Sequence, residues 1–118
     1  MLEQSYVYNA TIINVVDGDT LDATVDLGFT AFVRIRFRLY GVDTNETNDK
    51  DEVKRALALK AKEFLKDKCL NAKVIIKSRK TDKYGRWLGD VYLADGTHIN
   101  DSLLVEGLAV PYFGGTKL

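Results

Sequence analysis

Apolar and polar residues alternate along most of this chain, and the alternation breaks once into a helical period. From Phe32 to Gly41, FVRIRFRLYG puts Val33, Ile35, Phe37 and Leu39 on one side and Arg34, Arg36, Arg38 and Tyr40 on the other. A period of two with one apolar face predicts a half-buried strand carrying a basic outer stripe. SYVYNATIINVV (5–16) and TLDATVDLG (20–28) are rich in β-branched and aromatic residues and predict two more strands. The Asp17-Gly18 dipeptide joins them as a hairpin turn. AKVIIKSR (72–79) and RWLGDVYLA (86–94) read as a fourth and a fifth strand, the last ended by Asp95-Gly96.

Between the third and fourth strands the period lengthens. In DEVKRALALKAKEFLKDKC (51–69), Val53, Leu57, Ala61, Phe64, Leu65 and Cys69 recur at three- and four-residue steps and predict an amphipathic helix. Asp49 with Glu52 resembles a capping box, and acids open the segment while lysines close it, matching the helix dipole. A short helix is expected in INDSLLVEG (99–107), stopping at Gly107. The tail, LAVPYFGGTKL, carries Pro111 and a glycine pair and is expected to be irregular at its end. Five strands with a helix between the third and fourth fit a small OB-type barrel; a split α+β sandwich fits the same order. With no repeats or linkers, residues 1–118 read as one domain.

Composition narrows the chemistry. A single Cys69 excludes an internal disulfide and a cysteine zinc cluster, and its place on the helix suggests a small buried residue. His98 is the only histidine, which excludes HExxH sites and paired-histidine chemistry. Any catalysis must then rest on carboxylates, arginines and a metal. The formal net charge is zero, so no general attraction to a polyanion is expected. The charges are unevenly placed, though. Residues 43–52 hold five acids and one base, and residues 77–86 hold five bases and one acid. No apolar run reaches the roughly 18 residues of a membrane helix. The N-terminus lacks the pattern of a signal peptide, which fits a cytoplasmic protein or a secreted one without its leader.

The run NVVDGDTLDATVD (14–26) places four aspartates in β-forming sequence. From the residues alone, Asp19 is either a turn-flanking acid or a cation ligand, and Asp17 is a turn residue bonding its own backbone. An EF-hand starting at Asp17 fails, because its sixth and twelfth positions are Asp22 and Gly28 rather than Gly and Glu.

Three stretches in order, VDGDT (16–20), FRLYGVDTNET (37–47) and TDKYGR (81–86), resemble the staphylococcal nuclease family, as do DG…IN at 95–100 and EGLA at 106–109. The resemblance implies an OB barrel that cleaves DNA and RNA, single strands especially, with calcium, leaving 3′-phosphate ends. It assigns metal binding to Asp19, Asp43 and the carbonyl of Thr44. It assigns phosphate gripping to Arg38 and Arg86, and activation or positioning of water to Glu46. It gives nucleotide contacts to Lys83, Tyr84 and Tyr112, with Phe113 the alternative to Tyr112. Arg34 and Arg36 stay ordinary surface residues, and neither His98 nor Trp87 receives a functional role, although Trp87, next to Arg86, could narrow the groove. Asn45 replaces a common family proline, and the family's third helix has no counterpart in these residues. The rival readings are a non-catalytic binding module of the same fold and a small calcium-binding regulatory domain. The joint presence of Asp19, Arg38, Asp43, Glu46 and Arg86 favours the nuclease.

Overall fold

Burying one face of each alternating strand requires the sheet to close on itself, and it does. The computed structural model describes residues 6–113 and the backbone of 116–117. Strands β1 (Val7–Asp17), β2 (Thr20–Gly28), β3 (Ala31–Leu39), β5 (Lys73–Arg79) and β6 (Trp87–Tyr92) form a closed barrel in the order β1-β2-β3-β6-β5. Only β3 and β6 run parallel, with Phe37 opposite Trp87 and Leu39 opposite Gly89. β1 serves both sides of the closure, pairing β2 from Ala10 to Asp17 and β5 through Val7–Thr11. Breaks in register after Ile12 and Val15 bend it around the barrel. The expected OB architecture is therefore present, and the sandwich alternative is not.

Helix α1 (Glu52–Cys69) packs on the barrel through Ala61, Leu65 and Cys69, which join Ile12, Val15, Leu21, Phe37 and Leu39 in one core. Two details of the helix differ from the sequence reading. Its N-cap is Asp51, whose side chain accepts from the backbone N–H groups of Val53 and Lys54, while Asp49 instead accepts from Asp51 N. Val53 is exposed, because the first turn overhangs the barrel, and Ala58 takes the buried position further along. Burial pushes the Cys69 thiol up to about 11, so it is a packing residue.

The tail also differs. Rather than becoming irregular after Pro111, residues Val110–Phe113 form β7. This strand pairs with a two-residue strand β4 (Val42–Asp43) and with β8 (Thr116–Lys117). Pro111 is tolerated because β7 is short and peripheral. The glycine pair at 114–115 lies outside the described residues. Helix α2 (Ile99–Val105) ends ahead of Gly107, which has φ +71°. Its Asn100 is buried, donates to the carbonyls of Tyr40 and Gly89, and accepts from Val91 N. That one side chain ties α2, β6 and the end of β3 together.

Candidate active site

The β1–β2 connection is a tight turn of Gly18 and Asp19, closed by the pairing of Asp17 with Thr20. Glycine is needed here for space. A Cβ on Gly18 would lie 2.7 Å from the Cβ of Ala61 on α1 and 2.8 Å from the hydroxyl oxygen of Thr44. The turn can therefore press against both the helix and the loop after β4. This carries Asp19 inward, to 8% exposure, beside Asp43 and Thr44.

Arg38, at the end of β3, fills the space between these elements. Its Nη2 donates to Asp43 Oδ1 at 2.6 Å, to Asp19 Oδ2 at 3.3 Å and to the Val42 carbonyl at 3.3 Å. Its Nε and Nη1 have no hydrogen-bond partner among the described residues. The Tyr112 ring lies against the guanidinium, 4.8 Å from its carbon. Asp19 Oδ2 also accepts from Thr44 N, and Asp17 accepts from Asp19 N at 3.1 Å. Burial, followed by the neighbouring Asp17, raises the Asp19 carboxyl above its ordinary value, and the opposing effect of Arg38 does not cancel this. Asp19 is thus an anion short of positive charge.

Asp17, Asp19, Arg38, Asp43, Thr44, Glu46, Arg86 and Tyr112 line one cavity of about 300 Å³. Glu46 is exposed, and its side chain makes no hydrogen bond to a described residue. Arg86 closes the other wall from the β5–β6 loop, its Nε donating to Asp82 at 2.6 Å. Asp82 also accepts from the N–H groups of Tyr84 and Arg86. Burial pushes the Asp82 carboxyl up, but these hydrogen bonds outweigh it and hold the group below its usual range. Lys83 and Tyr84 face an adjoining cleft lined also by Arg38, Tyr40, Leu88 and Tyr112.

Every residue singled out in the sequence thus lies on one of two adjoining hollows. Of the two aromatic alternatives, Tyr112 lines both, while Phe113 packs edge-on against Tyr40 at 5.5 Å. Three contributors went unrecognised. Asp82 organises the loop that carries Arg86, and its position inside the TDKYGR stretch was the available signal. Asp17 is more than a turn acid, since it lines the cavity and perturbs Asp19. Asn100 holds the Tyr40 carbonyl from a helix far away in sequence, and its place in the DG…IN stretch was the available signal.

The donor set suits a hard cation. Two carboxylate oxygens converge on one positively charged nitrogen, and no three His, Cys, Asp or Glu side chains gather as a metal cage among the described residues. A site with two carboxylates leaves coordination positions open for water and phosphate oxygens.

The chain is thus a small OB-type β-barrel with an acidic turn, two arginines and an exposed glutamate around one rim cavity. The family model described as staphylococcal nuclease homologue matches residues 36–117, and the chain belongs to that family. It is 35% identical over 115 residues to endonuclease YhcR of Bacillus subtilis, covering 90% of this chain and 9% of that protein. It is 33% identical over 109 residues to the thermonuclease of Staphylococcus hyicus, and 28% identical over 113 residues to the micrococcal nuclease of Shigella flexneri. These alignments cover 91% and 89% of this chain and 59% of each relative.

Proposed function

We propose that this domain is a calcium-dependent nuclease that hydrolyses phosphodiester bonds of DNA and RNA and leaves 3′-phosphate ends. The observation that carries the reading is the convergence of Asp19, Asp43, Arg38, Arg86 and Glu46 on one cavity. Names among the relatives, endonuclease and thermonuclease, point the same way.

Asp19, Asp43 and the Thr44 carbonyl are the groups that would hold calcium. The bound ion would supply positive charge to a phosphate oxygen. Arg38 and Arg86 approach the phosphate from opposite walls with planar donor forks, which match its oxygens and stay charged at any working pH. As water adds to phosphorus, negative charge grows on the non-bridging oxygens, and preorganised guanidinium groups stabilise it. Glu46, with no side-chain hydrogen bond to a described residue, would take the proton of the attacking water. The bond to the 5′ oxygen breaks, and that oxygen gains a proton from solvent.

The test is incubation with single-stranded DNA and with RNA, first with calcium and then with a calcium chelator. Cleavage is expected only with calcium. Full cleavage in chelator overturns the metal role. Absence of cleavage in both, with binding retained, assigns the barrel to the non-catalytic modules of its family.

A further inference from the structure

Trp87 is the chain's only tryptophan. It opens β6, is 52% exposed, and stacks with no ring or cation among the described residues. Its register partner is Phe37, and with Tyr8, Val33, Ile35 and Leu88 it lines an apolar cavity of about 180 Å³. Half-exposed indole at the lip of an apolar hollow is a surface awaiting a flat partner.

The surroundings specify which partner. The residue before Trp87 is Arg86, on the catalytic cavity, and the residue after it is Leu88, which lines both the Tyr84–Tyr112 cleft and the Trp87 hollow. Trp87 keeps the face of its register partner Phe37, and Leu88, opposite Arg38, joins its hollow to the cleft beside the catalytic cavity. The loop leading into Trp87 carries Lys80, Lys83 and Arg86 against Asp82, which is already engaged by Arg86. An apolar plane next to uncompensated positive charge matches a nucleobase, a flat group delivered on a phosphate chain.

We propose that Trp87 is a stacking platform for an unpaired base of the substrate, seating the neighbour of the nucleotide that Tyr84 and Tyr112 contact. Leu88 separates the two seats. This rests on the reading of the cavity as a nuclease site, and it adds a cause for single-strand preference. In a duplex both faces of each base are already covered by stacking, so the platform is offered nothing.

The lone tryptophan makes its own probe. A single-stranded DNA oligonucleotide is titrated into the protein in chelator, exciting where tyrosine does not absorb, with binding followed independently by anisotropy of labelled DNA. Trp87 emission is expected to be quenched in step with binding. It should stay unchanged with an abasic sugar-phosphate oligomer of equal length and with a duplex. Trp87→Ala should raise KM for single-stranded DNA about 5- to 150-fold, the loss of one base–aromatic stack, with kcat near the parent. Trp87→Phe, which keeps an aromatic face, should recover most of the loss. Saturated binding with unmoved emission, or an unchanged KM in Trp87→Ala, overturns the platform while leaving the nuclease reading intact. Quenching without cleavage under any condition supports the platform and sinks the nuclease. Emission that ignores DNA but shifts with protein concentration assigns the ring to a second copy of the chain, and likewise overturns the proposal.

Discussion

Two aspartate–arginine pairs stand a few residues apart on the same hairpin and the same strand, and they behave in opposite ways. Asp22 faces Arg36 across the β2–β3 ladder. It takes hydrogen bonds from Arg36 Nε at 2.8 Å, Arg36 Nη2 at 3.2 Å and Asn14 at 3.2 Å, with Arg34 at 3.8 Å. Hydrogen bonding from Arg36, only partly opposed by burial, lowers the Asp22 carboxyl. The Arg36 side chain is 63% exposed, so water solvates the cation while the anion is satisfied. Asp19 shares one nitrogen of Arg38 with Asp43, and the Arg38 and Asp19 side chains are only 9% and 11% exposed. Here water is largely excluded from both side chains, so burial, followed by the neighbouring Asp17, outweighs Arg38 and the Asp19 carboxyl rises. The same residue types make a solvated surface pair in one place and a desolvated pair lining a cavity in the other.

The largest effect expected from this contrast is on catalysis. Arg38→Lys should lower kcat/KM about 100- to 1,000-fold, since an ammonium cannot reproduce the donor fork aimed at the transition state. Arg36→Lys should stay close to the parent, with a small loss that fades as salt rises. Measured rates at two ionic strengths decide it, and equal losses from both variants would reduce Arg38 to one member of a basic stripe.

A smaller effect, but one of opposite sign at the two aspartates, is expected in the melting temperature of the calcium-free protein. The raised Asp19 carboxyl contributes stability below the ordinary carboxylate range and loses it as pH rises through the raised value. Asp19→Asn, a neutral isostere, should therefore raise the melting temperature near neutral pH while abolishing cleavage. The lowered Asp22 carboxyl contributes above the ordinary range and loses it as pH falls through the lowered value. Asp22→Asn should lower the melting temperature by a few degrees at neutral pH and leave cleavage nearly intact. Thermal scans with matching assays test both. A drop for Asp19→Asn would mean that its bond to Arg38 outweighs its burial.

The smallest change probes what separates the two aspartates. Asp19 is buried because Gly18 lets its turn press on Ala61 and Thr44. Gly18→Ala should cost about 1–3 kcal/mol by overpacking, and denaturant melts measure it. Its activity should fall beyond what the unfolded fraction explains, since Asp19 shifts with the turn. Calcium-free melting of this variant near that of the parent would show that the contact is easily relieved.

The barrel strands and the main helix were legible because each has enough residues to display a period. The residues that the resemblance singled out, Phe113 aside, line the two hollows, while Asp17 and Asp82, inside the same motifs, were passed over. The unread parts depend on partners distant in sequence. Arg36 was placed on the surface correctly, but nothing local showed that Asp22 neutralises it, since that follows from the register of two strands. Val53 fits the helical spacing yet overhangs the barrel, a fact set by where the helix meets the core. Asp51 outcompeted Asp49 as the cap because the chain enters the helix two residues later than the acidic pair suggested. Val110–Phe113 is too short to show a period and contains a proline, so its pairing with Val42–Asp43 has no signature of its own.

That last pairing has a consequence in time. Asp43 meets Val110, 67 residues further along the chain, and Tyr112 comes to Arg38 by the same route. Loop closure over such a distance is slow relative to local hairpins, so the catalytic rim is among the last parts of the domain to assemble. During synthesis at about 5–20 residues per second, roughly 3–13 s pass between the making of Asp43 and of Val110. The hairpin bearing Asp19 and Arg38 is by then complete, yet the wall bearing Tyr112 does not exist. A nascent chain therefore carries an unfinished rim cavity, which is completed only after nearly the whole domain has left the ribosome.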